Sequence, residues 1–273
     1  LTGIEKMKQK DLLRMINEIL NDTIDISFSN NVVKGHYQVT PYSFHPDVEI
    51  IWGNVEDYET VKKSVKGKDL VVHLAAKVNV DQSVVSPRDY LTTNLDGTIN
   101  ILEAARVFGV KVIYESSREV YGDMPQSPVN EDSPLKPKSP YALSKAAADS
   151  ICYGYYTSYK LEIMILRCCN VYGSNQRAGK LGAFIPRLVE QALNGGELTI
   201  YGSGSQRREY IHVSDLVRAH DLVVNKGEFS GNTVNVGTNQ YYSVNQIAEK
   251  ISQRLSAKIV HVESRQGEIP GFI

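Results

Sequence analysis

Short apolar runs alternate with amphipathic helical patterns in the middle of the chain, and this alternation constrains the fold more than any other sequence feature. The run at 69–74 is typical of a strand buried on both faces. Apolar side chains recur at helical spacing over 90–108, a strand pattern follows at 111–114, and a long helical pattern at 140–159 precedes another strand at 161–166. Strands that alternate with helices in this way predict an α/β fold with a parallel sheet covered by helices.

The pattern divides the chain into three predicted parts. The core, residues 48–173, begins with a predicted strand at 48–52 and contains the alternating elements. Residues 174–273 have a mixed α+β pattern and predict a smaller, substrate-binding lobe interleaved with the core. The head, residues 1–47, does not continue the alternation of the core.

The head has its own helix–strand pattern. Apolar residues at helical spacing cover 11–20, and an alternating strand-like run follows at 23–28. A similar pattern lies at 246–262 near the other end of the chain. The head therefore resembles a second copy of the unit at 246–262, although two helix–strand units can also look alike by chance.

Composition excludes several functional classes. The 273 residues carry 30 Lys plus Arg against 31 Asp plus Glu, so the net charge is −1 and a broad nucleic-acid-binding surface is not expected. No apolar run approaches the length of a membrane span, so no membrane partner is expected. Three cysteines are too few for a disulfide framework, and no His/Cys cluster has metal-ligand spacing. We expect a cytoplasmic protein without a metal.

Tyr141 and Lys145 form a YxxxK pair at the start of the long helical pattern. Residues four apart share a helix face, and an ammonium group beside a phenol lowers the phenol's pKa. Such a tyrosine can act as a base near neutral pH. The alternative for this pair alone is an exposed tyrosine and a solvated lysine.

A serine lies where a third member of this group would be expected. Ser117 follows the predicted strand at 111–114, and ligands of open α/β sheets bind at the carboxyl ends of strands. The sequence thus predicts a Ser117–Tyr141–Lys145 group. A serine-rich turn is the alternative.

Six motifs, taken together, resemble one known family. They are HLAA at 73–76, NLDGTIN at 94–100, SSREVYG at 116–122, PYALSK at 140–145, RCCNVYG at 167–173 and LTIYGSGSQRREYIHV at 198–213. In this order they resemble the extended short-chain dehydrogenase/reductase family, in particular its NAD-dependent nucleotide-sugar epimerases and dehydratases. The resemblance covers residues 48–270 and implies a Rossmann-like, doubly wound parallel sheet.

The resemblance implies roles for individual residues. Tyr141 matches the base that takes the proton of the sugar 4-hydroxyl, Ser117 matches the catalytic Ser/Thr, and Lys145 matches the residue that binds the nicotinamide ribose and tunes the tyrosine. Besides Tyr141 and Lys145, the residues implied in NAD binding are Asn54, Val55, Leu74, Ala75, Ala76 and Asn94.

The resemblance also implies a substrate and an assembly. Asn170 and Arg208 match residues that contact the diphosphate of a sugar nucleotide, and Arg265 and Glu268 match residues that hold the diphosphate and ribose. Arginine suits this role because its planar fork donates two hydrogen bonds to an anionic group. A UDP-sugar is the expected substrate, and a homodimer through two long helices is the expected assembly.

One departure from the family pattern bears on the chemistry. Dehydratases of this family resemble TDEVYG, in which an Asp acid and a Glu base eliminate water, whereas this chain has Arg118 at the Asp position and keeps Glu119. An arginine cannot give up a proton in a protein. The sequence therefore favours 4-epimerisation, with a dehydratase, a reductase or an impaired sugar-nucleotide-binding member as alternatives.

A second departure concerns the cofactor. The family opens with a strand, a GxxGxxG turn and a helix whose N-terminus binds the pyrophosphate, and the 273 residues contain no such motif. In that place the segment 34–42 resembles a carboxyl-terminal stretch of related epimerases. Rearrangement, fusion or a partial sequence would each produce this arrangement. We expect weak NAD binding and little or no epimerase activity from the chain as written.

Overall fold

The computed structural model describes residues 51–123, 128–173, 176 and 182–264. The predicted head at 1–47 lies outside the described residues, and so do Arg265 and Glu268. The described part of the chain forms two compact units. Residues 51–171 and 209–240 form the larger unit, and residues 172–208 and 241–264 form the smaller unit.

The described helices and strands alternate along most of the chain. The helices are α1 Tyr58–Val65, α2 Val80–Val85, α3 Pro87–Leu91, α4 Gly97–Phe108, α5 Pro140–Tyr159, α6 Phe184–Leu193, α7 Val213–Lys226 and α8 Val244–Leu255. The strands are β1 Leu70–His73, β2 Lys111–Ser117, β3 Ile163–Cys168, β4 Asn170–Tyr172, β5 Leu198–Tyr201, β6 Arg207–His212, β7 Ser230–Val236, β8 Tyr241–Ser243 and β9 Ile259–Val262.

The larger unit is built on a parallel sheet with the strand order β1-β2-β3-β7. Each neighbouring pair of strands runs parallel, with Leu70 opposite Lys111 and Ser117 opposite Cys168. Parallel strands need crossover connections, and helices supply them here. This arrangement confirms the predicted α/β class, and it brings the carboxyl ends of β1, β2 and β3 to one edge of the sheet.

Helices cover both faces of this sheet. On one face, side chains of α1, α4 and α5 pack against alternate residues of β2, including Val112 and Tyr114. On the other face, Leu216 and Val223 of α7 pack against Ile113 of β2 and its neighbours in β3. Successive side chains of a strand point to opposite faces, so Glu115 belongs to the α7 face.

The structure differs from two sequence-based expectations. Ile51 and Trp52 were expected in a strand at 48–52, but both lie outside any strand and are exposed. Apolar character alone does not make a strand, because its backbone needs a neighbouring strand to pair with. The single helix expected over 90–108 is interrupted by a π-helical turn at Thr92–Asp96.

The smaller unit contains a parallel pair of strands, β5 and β9, against which α6 and α8 pack. Helix α8 begins with a capping box, in which Ser243 and Gln246 each bond the other's backbone N–H. None of the helices in the described ranges is both long and apolar enough to cross a bilayer.

Candidate active site

Ser117 ends β2 and begins the short 3₁₀ turn Arg118–Tyr121. Its side-chain oxygen accepts the backbone N–H of Glu119 at 3.2 Å, so the hydroxyl proton remains available for another acceptor. The phenol of Tyr141 lies close by, and Ser117 acts to lower its pKa. The structure therefore brings together two of the three residues that the sequence grouped.

The start of α5 fixes where Tyr141 lies. Ser139 caps the helix by accepting the N–H of Ala142 at 3.1 Å, and Pro140 occupies the first turn, where its missing N–H costs nothing. Tyr141 is consequently in the first turn and Lys145 one turn later, and both side chains are buried, with 8% and 4% exposure.

Lys145 points its ammonium group at the backbone of β2. Its Nζ donates to the carbonyl oxygen of Glu115 at 2.7 Å and lies 4.9 Å from the ring centroid of Tyr114. Burial lowers the pKa of Lys145 to about 8, against the opposing influence of Glu115. An amine with this pKa titrates close to neutrality, which is typical of functional sites.

The pKa of Tyr141 moves in the direction opposite to the sequence-based expectation. Burial is the main cause of a rise to about 12; the nearby Glu119 and Glu115 also act to raise the pKa, while Ser117 and Arg118 act to lower it. The Lys145 ammonium group is bound to the Glu115 carbonyl. The structure therefore gives Tyr141 a raised pKa, where the sequence predicts a lowered one.

The π-helical turn places Asn94 against the segment that follows β1. The Asn94 Oδ1 accepts the N–H of Lys77 at 2.8 Å, and its Nδ2 donates to the Lys77 carbonyl at 3.0 Å and to Ser144 Oγ at 2.8 Å. A π turn inserts one residue into a helix and is common at functional sites. Here it fixes the end of the segment 74–77 onto α5.

His73 supports the same edge of the sheet in its neutral form. The Thr98 hydroxyl donates to the Asn94 carbonyl at 2.6 Å. Its oxygen therefore accepts a hydrogen bond from Nε2–H of His73 at 3.0 Å. Burial, with the nearby Lys145 ammonium, lowers the pKa of His73 to about 3. The residues after it carry small or exposed side chains that leave this edge accessible: Leu74, Ala75 and Ala76.

Asn54 and Val55 form a tight turn that α4 holds in place. The Asn100 side chain donates to the carbonyls of Val55 at 3.0 Å and Glu56 at 2.9 Å. Gly97 allows this approach, because a Cβ there would lie 2.7 Å from a methyl carbon of Val55. Asn54 is exposed, and its Oδ1 accepts the N–H of Glu56 at 3.1 Å.

Arg118 and Glu119 form an ion pair beside the serine and tyrosine. Their Nη2 and Oε1 atoms are 2.6 Å apart, and both side chains are largely buried. The two charges act on Tyr141 in opposite directions, with Glu119 raising its pKa and Arg118 lowering it. The carboxylate is thus already engaged by a cation.

A buried network that the sequence analysis missed holds the VYG segment. Arg167 binds Asp149 through Nε at 2.7 Å and the Tyr121 hydroxyl through Nη1 at 2.8 Å. Tyr121 in turn donates to Asn235 at 2.6 Å. These residues are far apart in sequence. The one local signal is that Asp149 lies four residues after Lys145 on α5, which places it on the same helix face as the predicted site.

Two of the predicted substrate residues are described. Asn170, in the larger unit, donates its side-chain amide to the Glu209 carbonyl at 2.9 Å. Arg208, in the smaller unit, donates to the Arg207 carbonyl at 2.9 Å. Within the described ranges, no group of His, Cys, Asp and Glu could hold a metal ion.

Comparison with known proteins gives the family. The model of the NAD dependent epimerase/dehydratase family matches residues 22–237. A dTDP-glucose 4,6-dehydratase from Streptomyces niveus is 32% identical over 246 residues, which cover 89% of this chain and 71% of the relative. The chain therefore belongs to the NAD-dependent epimerase/dehydratase family, within the extended short-chain dehydrogenases/reductases, as the sequence motifs predicted.

Solved structures include both activities of the family. The dTDP-glucose 4,6-dehydratase DesIV from Streptomyces venezuelae, with NAD and TYD bound, has a TM-score of 0.78 and 31% identity, covering 86% of this chain and 73% of that chain. The UDP-glucose 4-epimerase from Thermotoga maritima, with UDP-glucose, has a TM-score of 0.77 and 30% identity, covering 81% and 73%. The likeness confirms the Rossmann-type fold, and the family membership defines an NAD-dependent enzyme.

The residues at the sheet edge fit part of such a cofactor. The Lys145 ammonium uses one of its three protons on the Glu115 carbonyl, which leaves hydrogen-bonding capacity for ribose hydroxyls. Ala75 and Ala76 follow β1 without bulky side chains, and the exposed Asn54 offers an amide to a base. The donor set therefore suits the nicotinamide riboside and the adenine.

Proposed function

We propose that the chain is a 4-epimerase that inverts a UDP-sugar through a 4-keto intermediate. Tyr141 removes the proton of the 4-hydroxyl, Ser117 donates a hydrogen bond to the same oxygen, and Lys145 orients the cofactor ribose. NAD, when bound, supplies the acceptor that takes the C4 hydride and returns it to the other face. Because the cofactor is regenerated, no external oxidant or reductant is consumed.

The Arg118–Glu119 pair is the observation that favours epimerisation over dehydration. Elimination of water needs an acid that can donate a proton, and a guanidinium cannot do so. Glu119 is held at 2.6 Å by the same guanidinium, so its carboxylate is already engaged in a charge-assisted hydrogen bond. The proton of the sugar 4-hydroxyl is then the proton that the site can transfer.

Dehydration is the second candidate. Glu119 retains one of the two carboxylates that family dehydratases use, and the relative from Streptomyces niveus is a dehydratase. A third candidate is a member that binds sugar nucleotide without turnover, since the sequence contains no GxxGxxG motif.

Mass spectrometry and NMR of the products separate these candidates. The chain, with a family-type Gly-rich head in place of residues 1–47, is purified and incubated with NAD and either UDP-glucose or UDP-galactose. An epimerase gives a product of unchanged mass in which the coupling constants of the C4 proton to its neighbours are changed. A dehydratase gives a product one water lighter, and a reductase requires NADH. We expect the epimer, and its absence together with a lighter product would refute the proposal. The Y141F variant is the control.

We also propose a homodimer in the cytoplasm. Helices α4 and α5 expose apolar side chains, among them Val107, Leu143 and Tyr153, which a helix–helix contact between two copies would cover. Cys152, Cys168 and Cys169 are free thiols, which suits a reducing compartment. Light scattering coupled to gel filtration tests the dimer, and the L143E variant is expected to give monomers.

A further inference from the structure

Beneath the sheet edge, Glu115 and His220 form a pair that the proposed reaction does not use. The Nε2 atom of His220, on α7, lies 3.1 Å from Oε2 of Glu115, on β2, and both side chains are mostly buried. The main chain of the same Glu115 receives the Lys145 ammonium on its carbonyl. One residue thus contacts Lys145 through its backbone and His220 through its side chain.

The contacts of His220 favour a proton on each of its ring nitrogens. The Nδ1 atom of His220 lies 2.9 Å from the Leu216 carbonyl, which can only accept, so Nδ1 carries a proton. If Nε2 were unprotonated, its lone pair would face the carboxylate of Glu115. A charged imidazolium removes this repulsion, and the bond with Glu115 raises the pKa of His220 above its ordinary value.

Among the charged groups that act on Lys145, Glu115 does most to raise its pKa. Asp149 also faces Lys145, but Arg167 binds and compensates it at 2.7 Å. Other titratable groups near Lys145 are neutral at pH 7: His73 on β1, Tyr114 on β2, Cys152 on α5 and Cys168 on β3. Cys168 also hydrogen-bonds Glu115, so the carboxylate is contacted from both β3 and α7.

We propose that Glu115 and His220 are positioning residues that set the charge beneath Lys145. While His220 is protonated, the pair is neutral overall. When His220 loses its proton, the Glu115 carboxylate is uncompensated and holds the proton of Lys145 more strongly. The inference rests on the proposed function only for the role of Lys145 in cofactor binding.

The titration of Lys145 tests the proposal without any turnover. The full chain is labelled with ¹³C at lysine Cε, the Lys145 resonance is assigned with K145M, and its midpoint is followed from pH 6 to 10. In E115Q the carboxylate is lost but the backbone carbonyl remains, so the midpoint falls by about half a pH unit or more. In H220Q the carboxylate is left uncompensated, so the midpoint rises, by less because the imidazolium is only partly populated at that pH.

The variant D221N is the control. D221N removes an exposed carboxylate from α7, next to His220, and leaves the midpoint unchanged. An unchanged midpoint in E115Q, or shifts of the same direction in E115Q and H220Q, overturns the proposal; should E115Q not fold, the direction in H220Q decides. If E115Q lowers the midpoint and H220Q raises it, while the chain with a Gly-rich head has no epimerase activity, the proposed function is refuted and this inference stands.

Discussion

Replacing Asn94 with alanine tests whether the π-helical turn holds the cofactor edge of the sheet. The substitution removes three hydrogen bonds of 2.8, 3.0 and 2.8 Å from a buried side chain. It also leaves the N–H and the carbonyl of Lys77 without those partners. At about 0.5–1.5 kcal/mol for each bond, we expect N94A to lower the free energy of unfolding by about 2–4 kcal/mol.

Urea unfolding, followed by circular dichroism, measures this loss. N225A is the matched control, because the exposed Asn225 bonds only within α7 and its loss is expected to cost less than about 1 kcal/mol. N94D adds a second comparison, since it keeps an acceptor for the Lys77 N–H but loses both donated bonds. If N94A and N225A lose equal stability, the bonds of Asn94 do not anchor the segment 74–77 and the reasoning is wrong.

Three further predictions concern binding and turnover. Y141F keeps the ring but removes the proton acceptor, so we expect turnover to fall by roughly 10²–10⁴-fold with unchanged sugar-nucleotide affinity; equal turnover would exclude Tyr141 as the base. R208A is expected to weaken UDP binding by about 1.5–3 kcal/mol in calorimetry, and equal affinity would contradict its assignment to the diphosphate. The chain as written is expected to bind NAD weakly and to gain affinity when a Gly-rich head replaces residues 1–47; micromolar calorimetric affinity without that change would show that another segment holds the pyrophosphate.

The parallel sheet was predictable because most positions of its central strands, β2 and β3, are buried and largely apolar. The expectation that the run at 69–74 is buried on both faces is wrong, because Val72 of β1 is exposed. The runs at 69–74 and 161–166 correspond to β1 and β3, within one or two residues. The turn at Thr92–Asp96 was not predictable, because the periodicity of apolar residues continues through it. What produces the turn is the set of bonds from Asn94 to Lys77 and Ser144, and those partners are distant in sequence.

The sequence could predict which residues lie near the site, but not which side chains contact one another there. Ser117 at a strand end and Tyr141 at a helix start follow from local patterns, and the structure places them close enough for Ser117 to act on the Tyr141 pKa. The pairing of Arg167 with Asp149 and that of Glu115 with His220 depend on which elements pack together. A sequence without an alignment contains no local signal for such long-range pairs.

The position of the Lys145 ammonium shows why spacing alone does not give chemistry. A separation of four residues fixes where two side chains leave a helix, but a lysine has four further bonds about which it turns toward the best acceptor. That acceptor is the Glu115 carbonyl rather than the Tyr141 hydroxyl. The pKa of Tyr141 is about 12, so the tyrosine keeps its proton at neutral pH. The four-residue spacing thus fixes the position of the proposed base but does not by itself ionise it.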